Sequence, residues 1–136
     1  MVKANDELVR GMIVGSPLAT LLGVAVEAVE ADRVRLRLPY RTEVTTIGDT
    51  VHGGAIAALV DVAATAAVWS GADLAQSARG TTIGFSLSFL AAGRGQDLVA
   101  TAEVIQRGRS VCVCEVRVGA VDGKAVARAL VTYKIG

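Results

Sequence analysis

Aromatic residues make up only 4% of this chain, histidine occurs once, cysteine twice, and two prolines interrupt 136 residues. Each shortage excludes something. One histidine, His52, and two cysteines, Cys112 and Cys114, rule out zinc sites of two or more histidines, C-x-x-C redox pairs and multi-disulfide scaffolds, so no metal site is expected. The C-x-C spacing within the alternating run Ser110 to Gly119 places both thiols on one face of a strand, where they are expected as small buried hydrophobes. Charge of one sign is also missing. Fourteen Lys and Arg stand against 13 Asp and Glu, which removes the electrostatic drive for binding DNA or RNA. Both prolines, Pro17 and Pro39, lie in the first third, and no repeat, linker or charge block divides the chain. A single domain over residues 1–136 is expected. The opening MVKANDELVRG carries acids among its apolar residues, unlike a secretory leader, and with unpaired cysteines this fits a reduced, cytoplasmic setting.

What the chain does have is small apolar residues: 52% is hydrophobic, with 23 Ala and 15 Gly. A core of Ala, Val and Leu buries little area per residue, so close backbone packing and subunit contacts are needed to complete it. Asn5 to Val14, with Leu8 and Met12 four apart, reads as a short amphipathic helix with Asn5 or Asp6 near its cap. A second helical turn starts at Ser16, with Pro17 in its first position, and ends near Gly23. Val24 to Leu38 reads as two strands around a turn at Ala31 and Asp32. After a polar loop comes HGGAIAALVDVAATAAVWSGADLA, a helix of about five turns in which only Asp61 and Asp73 are charged. A run this apolar resembles a membrane span in composition, but Asp61 near its middle makes the centre of a soluble core the better reading, so no membrane span is expected. Strands follow at Thr81 to Leu90, Asp97 to Arg107, Ser110 to Gly119 and Lys124 to Tyr133, joined by short hairpin turns at Gly93 to Gly95, Arg107 to Gly108 and Asp122 to Gly123. In the first of these, Ile83, Phe85, Leu87 and Phe89 alternate with Thr82, Gly84, Ser86 and Ser88, which predicts one apolar face. The layout is α+β: an antiparallel sheet wrapped around one long central helix.

The chemistry concentrates at that helix. His52, Gly53 and Gly54 stand at its start, where the first backbone NH groups lack intrahelical acceptors and can meet a developing oxyanion. Asp61 lies eight residues on from Gly53, about 12 Å along the axis, too far for one chain to bring both to one bond. A symmetric dimer with helices side by side can place Gly53 of one chain beside Asp61 of the other. Thr65, one turn beyond Asp61, is placed to orient a water, and Thr46 can present a hydroxyl toward a substrate carbonyl. Spacing alone supports hydrolysis or proton abstraction and names no substrate. His52 serving only as a cap, and Gly53 and Gly54 serving only a turn, stand equally open at this point.

At these residues the chain resembles the hotdog-fold acyl-CoA thioesterases, in particular the PaaI-like (phenylacetic acid degradation-related) branch. The likeness is carried by VHGGAIAALVDVAATAA at 51–67, TTIGFSLSFLAAGRGQDL at 81–98 and VIQRGRSVCVCEVRV at 104–118. The resemblance implies a hotdog fold, with two protomers pairing edge to edge into one continuous sheet, as a homodimer or homotetramer. It implies hydrolysis of an acyl-CoA substrate with no cofactor beyond the CoA of the substrate itself. Asp61 matches the family's general base or nucleophile, and Gly53 the glycine whose NH polarises the carbonyl from the opposite subunit. His52 matches the histidine that positions the thioester or its loop. Thr65 and Thr82 match positions where members use hydroxyls. Gly54 joins the substrate-binding set, with Arg94, Arg107 and Arg109 as partners for the CoA phosphates. Thr46 departs from the Asn or Gln found in many members, and Asp49 from their Gly three residues before the His. The first departure keeps a second class in view, a non-catalytic module binding acyl-CoA or acyl carrier protein. A hydratase or dehydratase ranks last, because such enzymes pair a histidine with the acid on the helix.

Overall fold

The computed structural model describes residues 4–136; the expectations that touch residues 1–3, the start of the domain and of the supposed non-leader, lie outside the described residues. The chain opens with one helical turn, α1 (Asp6–Leu8), which widens into a π-helical turn at Val9–Ile13. Helix α2 (Pro17–Leu22) follows with Ser16 as its N-cap residue, Pro17 in its first turn, and Gly23 ending it in the left-handed conformation at φ 76°. Strands β1 (Ala25–Glu30) and β2 (Arg33–Leu38) pair antiparallel across Ala31 and Asp32. Then come a 3₁₀ turn at Thr42–Val44, the long helix α3 (Gly53–Ser70), and strands β3 (Gly80–Phe89), β4 (Leu98–Arg107), β5 (Val111–Ala120) and β6 (Ala125–Ile135).

All six strands form one antiparallel sheet in the order β1-β2-β4-β5-β6-β3. The predicted hairpin at Gly93 to Gly95 is corrected here. β3 pairs with β6, at the opposite edge from β1, so residues 90–97 cross over α3 rather than turn back on a neighbour. The other two turns do form hairpins, β4–β5 and β5–β6.

Helix α3 is long and apolar enough to cross a bilayer, but the sheet curls around it and ten of its 18 residues are buried. Ala63, Ala64, Ala66 and Ala67 are fully enclosed, and their methyl groups let the backbones of helix and sheet approach closely. Facing them across the sheet are Leu36, Leu98, Cys112, Cys114, Val116 and Val131, all buried. Ala57, Ala58, Asp61, Val62, Thr65 and Trp69 form a half-buried stripe left uncovered along the same helix.

The C-terminal end of α3 is closed mostly by distant residues. Its last four carbonyls lack intrahelical backbone NH partners; one is met by a side chain of the helix's own last turn and three by residues distant in the chain. Ser70 Oγ donates to the Ala67 carbonyl at 2.7 Å, and Arg107 Nη2 donates to that of Val68 at 2.8 Å. Asn5 Nδ2 donates to that of Trp69 at 2.7 Å, and the Asn5 backbone NH to that of Ser70 at 2.9 Å. Asn5 is thus the N-cap residue of α1 by position, while its side chain serves the end of another helix.

Both cysteines are free and buried, on one face of β5 as the spacing implies. Burial pushes the Cys114 thiol up to about 12, and the neighbouring Cys112 acts in the same direction. Neither thiol is expected to react with iodoacetamide at pH 8 in the native protein, and both should be alkylated after unfolding in guanidinium, as mass spectrometry of the labelled chain will show.

Candidate active site

The site is built from three elements: the start of α3, its open stripe, and the strand pair β3–β6. At the start, His52 is the N-cap residue, and its ring Nδ1 accepts the Gly54 NH at 2.7 Å. That bond makes Nδ1 the acceptor nitrogen of the ring and holds the imidazole folded over the helix start. A Cβ on Gly54 would lie 2.9 Å from the same Nδ1, so only glycine lets the imidazole fold back this far. The Ala55 and Ile56 NH groups take the His52 carbonyl at 3.0 and 3.1 Å. Among the described residues this leaves the Gly53 NH as the donor of the first turn with no acceptor. It opens into a hollow of about 390 Å³ lined by Thr46, Thr50, Gly53, Phe89 and Gly93.

Asp61 lines a different cavity, of about 550 Å³, within the size range of small-molecule sites. Its walls are Val62, Thr65 and Trp69 of α3, Leu8 and Met12 of the N-terminal segment, and Tyr133 of β6. Asp61 Oδ1 accepts a hydrogen bond from Thr82 Oγ1 at 2.7 Å, and Oδ2 accepts none among the described residues. Thr65 lines the same cavity one turn on, and its hydroxyl makes no hydrogen bond among the described residues.

Thr82 reaches Asp61 because β3 is not regular. Strict alternation would put Thr82 on the face opposite Phe85, Leu87 and Phe89. The pairing with β6 shifts between Thr82 and Gly84, so Thr82, Phe85, Leu87 and Phe89 all stand opposite the buried set Tyr133, Val131, Ala129 and Ala127. Ile83, the extra residue of this bulge, is displaced outward and 58% exposed. Beside Thr82, the Tyr133 hydroxyl accepts from Trp69 Nε1 at 2.8 Å. Burial pushes this phenol's pKa up, the Trp69 hydrogen bond opposes that, and the charge of Asp61 adds to the rise. Gly80 makes the arrangement possible: a Cβ there would lie 2.6 Å from the Tyr133 hydroxyl.

The structure thus gathers Asp61 and Thr65 in one cavity, with Thr82 bonded to Asp61 from β3, and Gly53 and Thr46 in another, with His52 and Gly54 locked together at the helix start. No lining residue is common to the two cavities. The three arginines do not gather. Arg94 lies near the helix start, 3.5 Å from Asp49, and stays largely exposed. Arg109 is exposed in the β4–β5 turn and has no ion-pair partner among the described residues. Arg107 lies at the far end of α3, where its guanidinium holds Asp32 at 2.7 Å besides the Val68 carbonyl. Sequence reasoning assigned no role to Tyr133 and placed Asn5 only near the cap of the first helix; Trp69 is the third residue the structure brings to the site. The helical spacing of Asp61, Thr65 and Trp69 was the available signal for the third.

The fold is shared with known proteins. Residues 48–127 match the model of the Thioesterase superfamily. A Halobacterium salinarum protein that carries an esterase name is 37% identical over 114 residues, covering 82% of this chain and 75% of its own. A thioesterase family protein from Silicibacter pomeroyi superposes with TM-score 0.88 at 26% identity over 96% of each chain. The PaaI protein of the E. coli phenylacetic acid degradation operon does so with TM-score 0.85 at 20% identity over 96% of this chain and 91% of its own. A hypothetical thioesterase from Streptococcus pneumoniae, crystallised with coenzyme A, gives 0.75 at 23% over 83% and 85%. A curled antiparallel sheet around one long helix is the hotdog thioesterase architecture, PaaI-like in its fold. The chain belongs to the Thioesterase superfamily.

Because Arg107 is engaged at the helix terminus, Arg107→Ala is expected to cost about 1–2 kcal/mol, from the stranded Val68 carbonyl and lost ion pair. Thermal unfolding should show Tm lowered by several degrees, with CoA affinity measured by calorimetry little changed.

Proposed function

We propose that the protein hydrolyses the thioester of an acyl-CoA to a free carboxylic acid and CoA, at two equivalent sites shared between protomers. The observation that carries this reading is the separation of its two halves. A carboxylate with one oxygen unbonded among the described residues lines a mostly apolar cavity, while an unbonded helix-start NH opens into a second hollow about 12 Å along the same helix. Neither half is sufficient alone.

The edges of the sheet support the way two copies join. β1 is six residues long, irregular between Val26 and Ala28, and carries Glu27 ion-paired to Arg35 and Arg37. β3 is ten residues long with Ile83, Phe85 and Phe89 exposed. A long apolar edge invites strand pairing where a short charged one resists it, so the two-fold joins β3 to β3. That pairing brings the open stripe of each α3 toward the partner's.

In the reaction, Asp61 acts as general base on a water, or as nucleophile on the carbonyl carbon. Thr82 fixes the carboxylate's rotamer, and Thr65 orients the water. The partner subunit's Gly53 NH, reinforced by the positive end of its helix, receives the charge on the carbonyl oxygen as the tetrahedral intermediate forms. Collapse expels CoA thiolate, which takes a proton. His52 supports the oxyanion site by occupying the Gly54 NH and fixing the loop, and Thr46 borders it. Arg94 and Arg109, exposed, are the available partners for the CoA phosphates, whereas Arg107 is committed to the helix end.

Steady-state assays of acyl-CoA substrates with free thiol detected are expected to show Asp61→Asn lowering kcat by about a thousandfold or more, and Thr82→Val by about tenfold. Unchanged turnover in Asp61→Asn excludes the assignment. The shared site has its own test. Proline is tolerated at the first helical position and removes the NH, so Gly53→Pro deletes the oxyanion donor. Random mixing of inactive Asp61→Asn and Gly53→Pro chains should restore about a quarter of wild-type activity if sites are shared, since half the dimers then hold one intact site. No restoration places each site within one chain.

A further inference from the structure

The Asp61 cavity has a direction. Its helix wall runs from Asp61 through Val62 and Thr65 to Trp69, and no α3 residue before Asp61 lines it. The carboxylate therefore stands at one end and the indole at the other, eight residues or about 12 Å apart along the axis. Between them the lining is mostly apolar apart from Thr65, which lies next to the carboxylate, with Leu8 and Met12 on the side away from α3.

The far wall is fixed rather than soft. Trp69 Nε1 is held by the Tyr133 hydroxyl at 2.8 Å, and Tyr133 is itself 4% exposed within β6. The side away from α3 is tied to the same place: Asn5, which leads into the segment carrying Leu8 and Met12, binds the Trp69 carbonyl at 2.7 Å and that of Ala72 at 2.9 Å.

We propose that the Trp69–Tyr133 pair is the end stop of the acyl channel and makes this protein selective for straight-chain acyl groups of medium length. The proposal rests on the thioesterase reading above and names its substrate class. Van der Waals contact with the indole takes about 3.5 Å of the 12 Å, the approach of the acyl carbonyl to the carboxylate takes about 3 Å more, and carbon–carbon bonds of about 1.5 Å advance an extended chain about 1.25 Å each. The remainder holds a chain of about five to six carbons, the carbonyl carbon included. Each methylene that fits raises affinity about fourfold, and the first that does not must displace a hydrogen-bonded indole.

Two measurements on the full-length protein test this: hydrolysis of saturated acyl-CoAs from four to fourteen carbons, and calorimetric binding of the matching S-alkyl-CoA thioethers, which cannot be hydrolysed. In wild type, kcat/KM and affinity should climb to about six carbons and fall at least tenfold by twelve. Trp69→Ala should move the optimum toward longer chains, raising the twelve-to-six carbon ratio about tenfold or more. Trp69→Phe, which keeps the core filled, should move it part of the way. Tyr133→Phe should blunt the cut-off by freeing the indole. A flat length profile in wild type, a parallel loss at all lengths in the Trp69 variants, or a phenylacetyl thioester preferred over every straight chain overturns the proposal and leaves the thioesterase reading standing. No hydrolysis of any thioester overturns that reading, and the thioether series then still decides whether Trp69 measures chain length.

Discussion

The backbone of α3 lies close to the sheet because the residues between them are alanines, and most of the site's geometry follows from that approach. With bulkier side chains at 63, 64, 66 and 67 the helix would ride higher, and the Thr82 hydroxyl would not span the gap to Asp61. Tyr133 would likewise part from Trp69. The same small residues limit how much apolar area a single chain buries. The helix therefore gains its position from enclosure and from the capping of its ends, while one stripe of it stays open.

That open stripe turns a core helix into a site. A carboxylate at the centre of an apolar helix is unfavourable unless water or a hydrogen-bond donor reaches it, and Asp61 has both a half-buried position and the Thr82 hydroxyl. At the helix start the economy of donors is similar. His52 and the first-turn carbonyl geometry satisfy three NH groups and leave one. A histidine that looked suited to catalysis is occupied in shaping the end of a helix, and the glycine beside it retains the chemical potential.

Much of this was legible in the amino-acid order. The helix and strand positions, the Ala31–Asp32 turn, the Pro17 start and Gly23 stop of α2, the buried thiols and the candidate residues at 52, 53, 61 and 65 follow from local pattern. What was not legible depends on residues far apart in the chain. Alternation in β3 sends Thr82 to the wrong face, and only the pairing with β6 reveals the bulge that corrects it. Gly93 and Gly95 mark a turn, but whether the chain folds back or crosses over is decided by which strand lies next in the sheet. Arg107 reads as a surface cation until the end of a helix 39 residues earlier claims it. Among the alanines of α3, Ala64 and Ala67 pack fully against the sheet while Ala57 and Ala58 lie on the open stripe, a division set by which face the sheet covers.

Gly80 and Tyr133 touch across β3 and β6 so closely that position 80 cannot gain a side chain while the tyrosine stands. A chain that acquires a side chain at 80 must first surrender the phenol at 133, and with it the hydrogen bond to the indole. Among relatives, a bulky residue at 133 should therefore come with a glycine at 80. The identity of a surface glycine on the edge strand then reports on the interior of the cavity, one layer away.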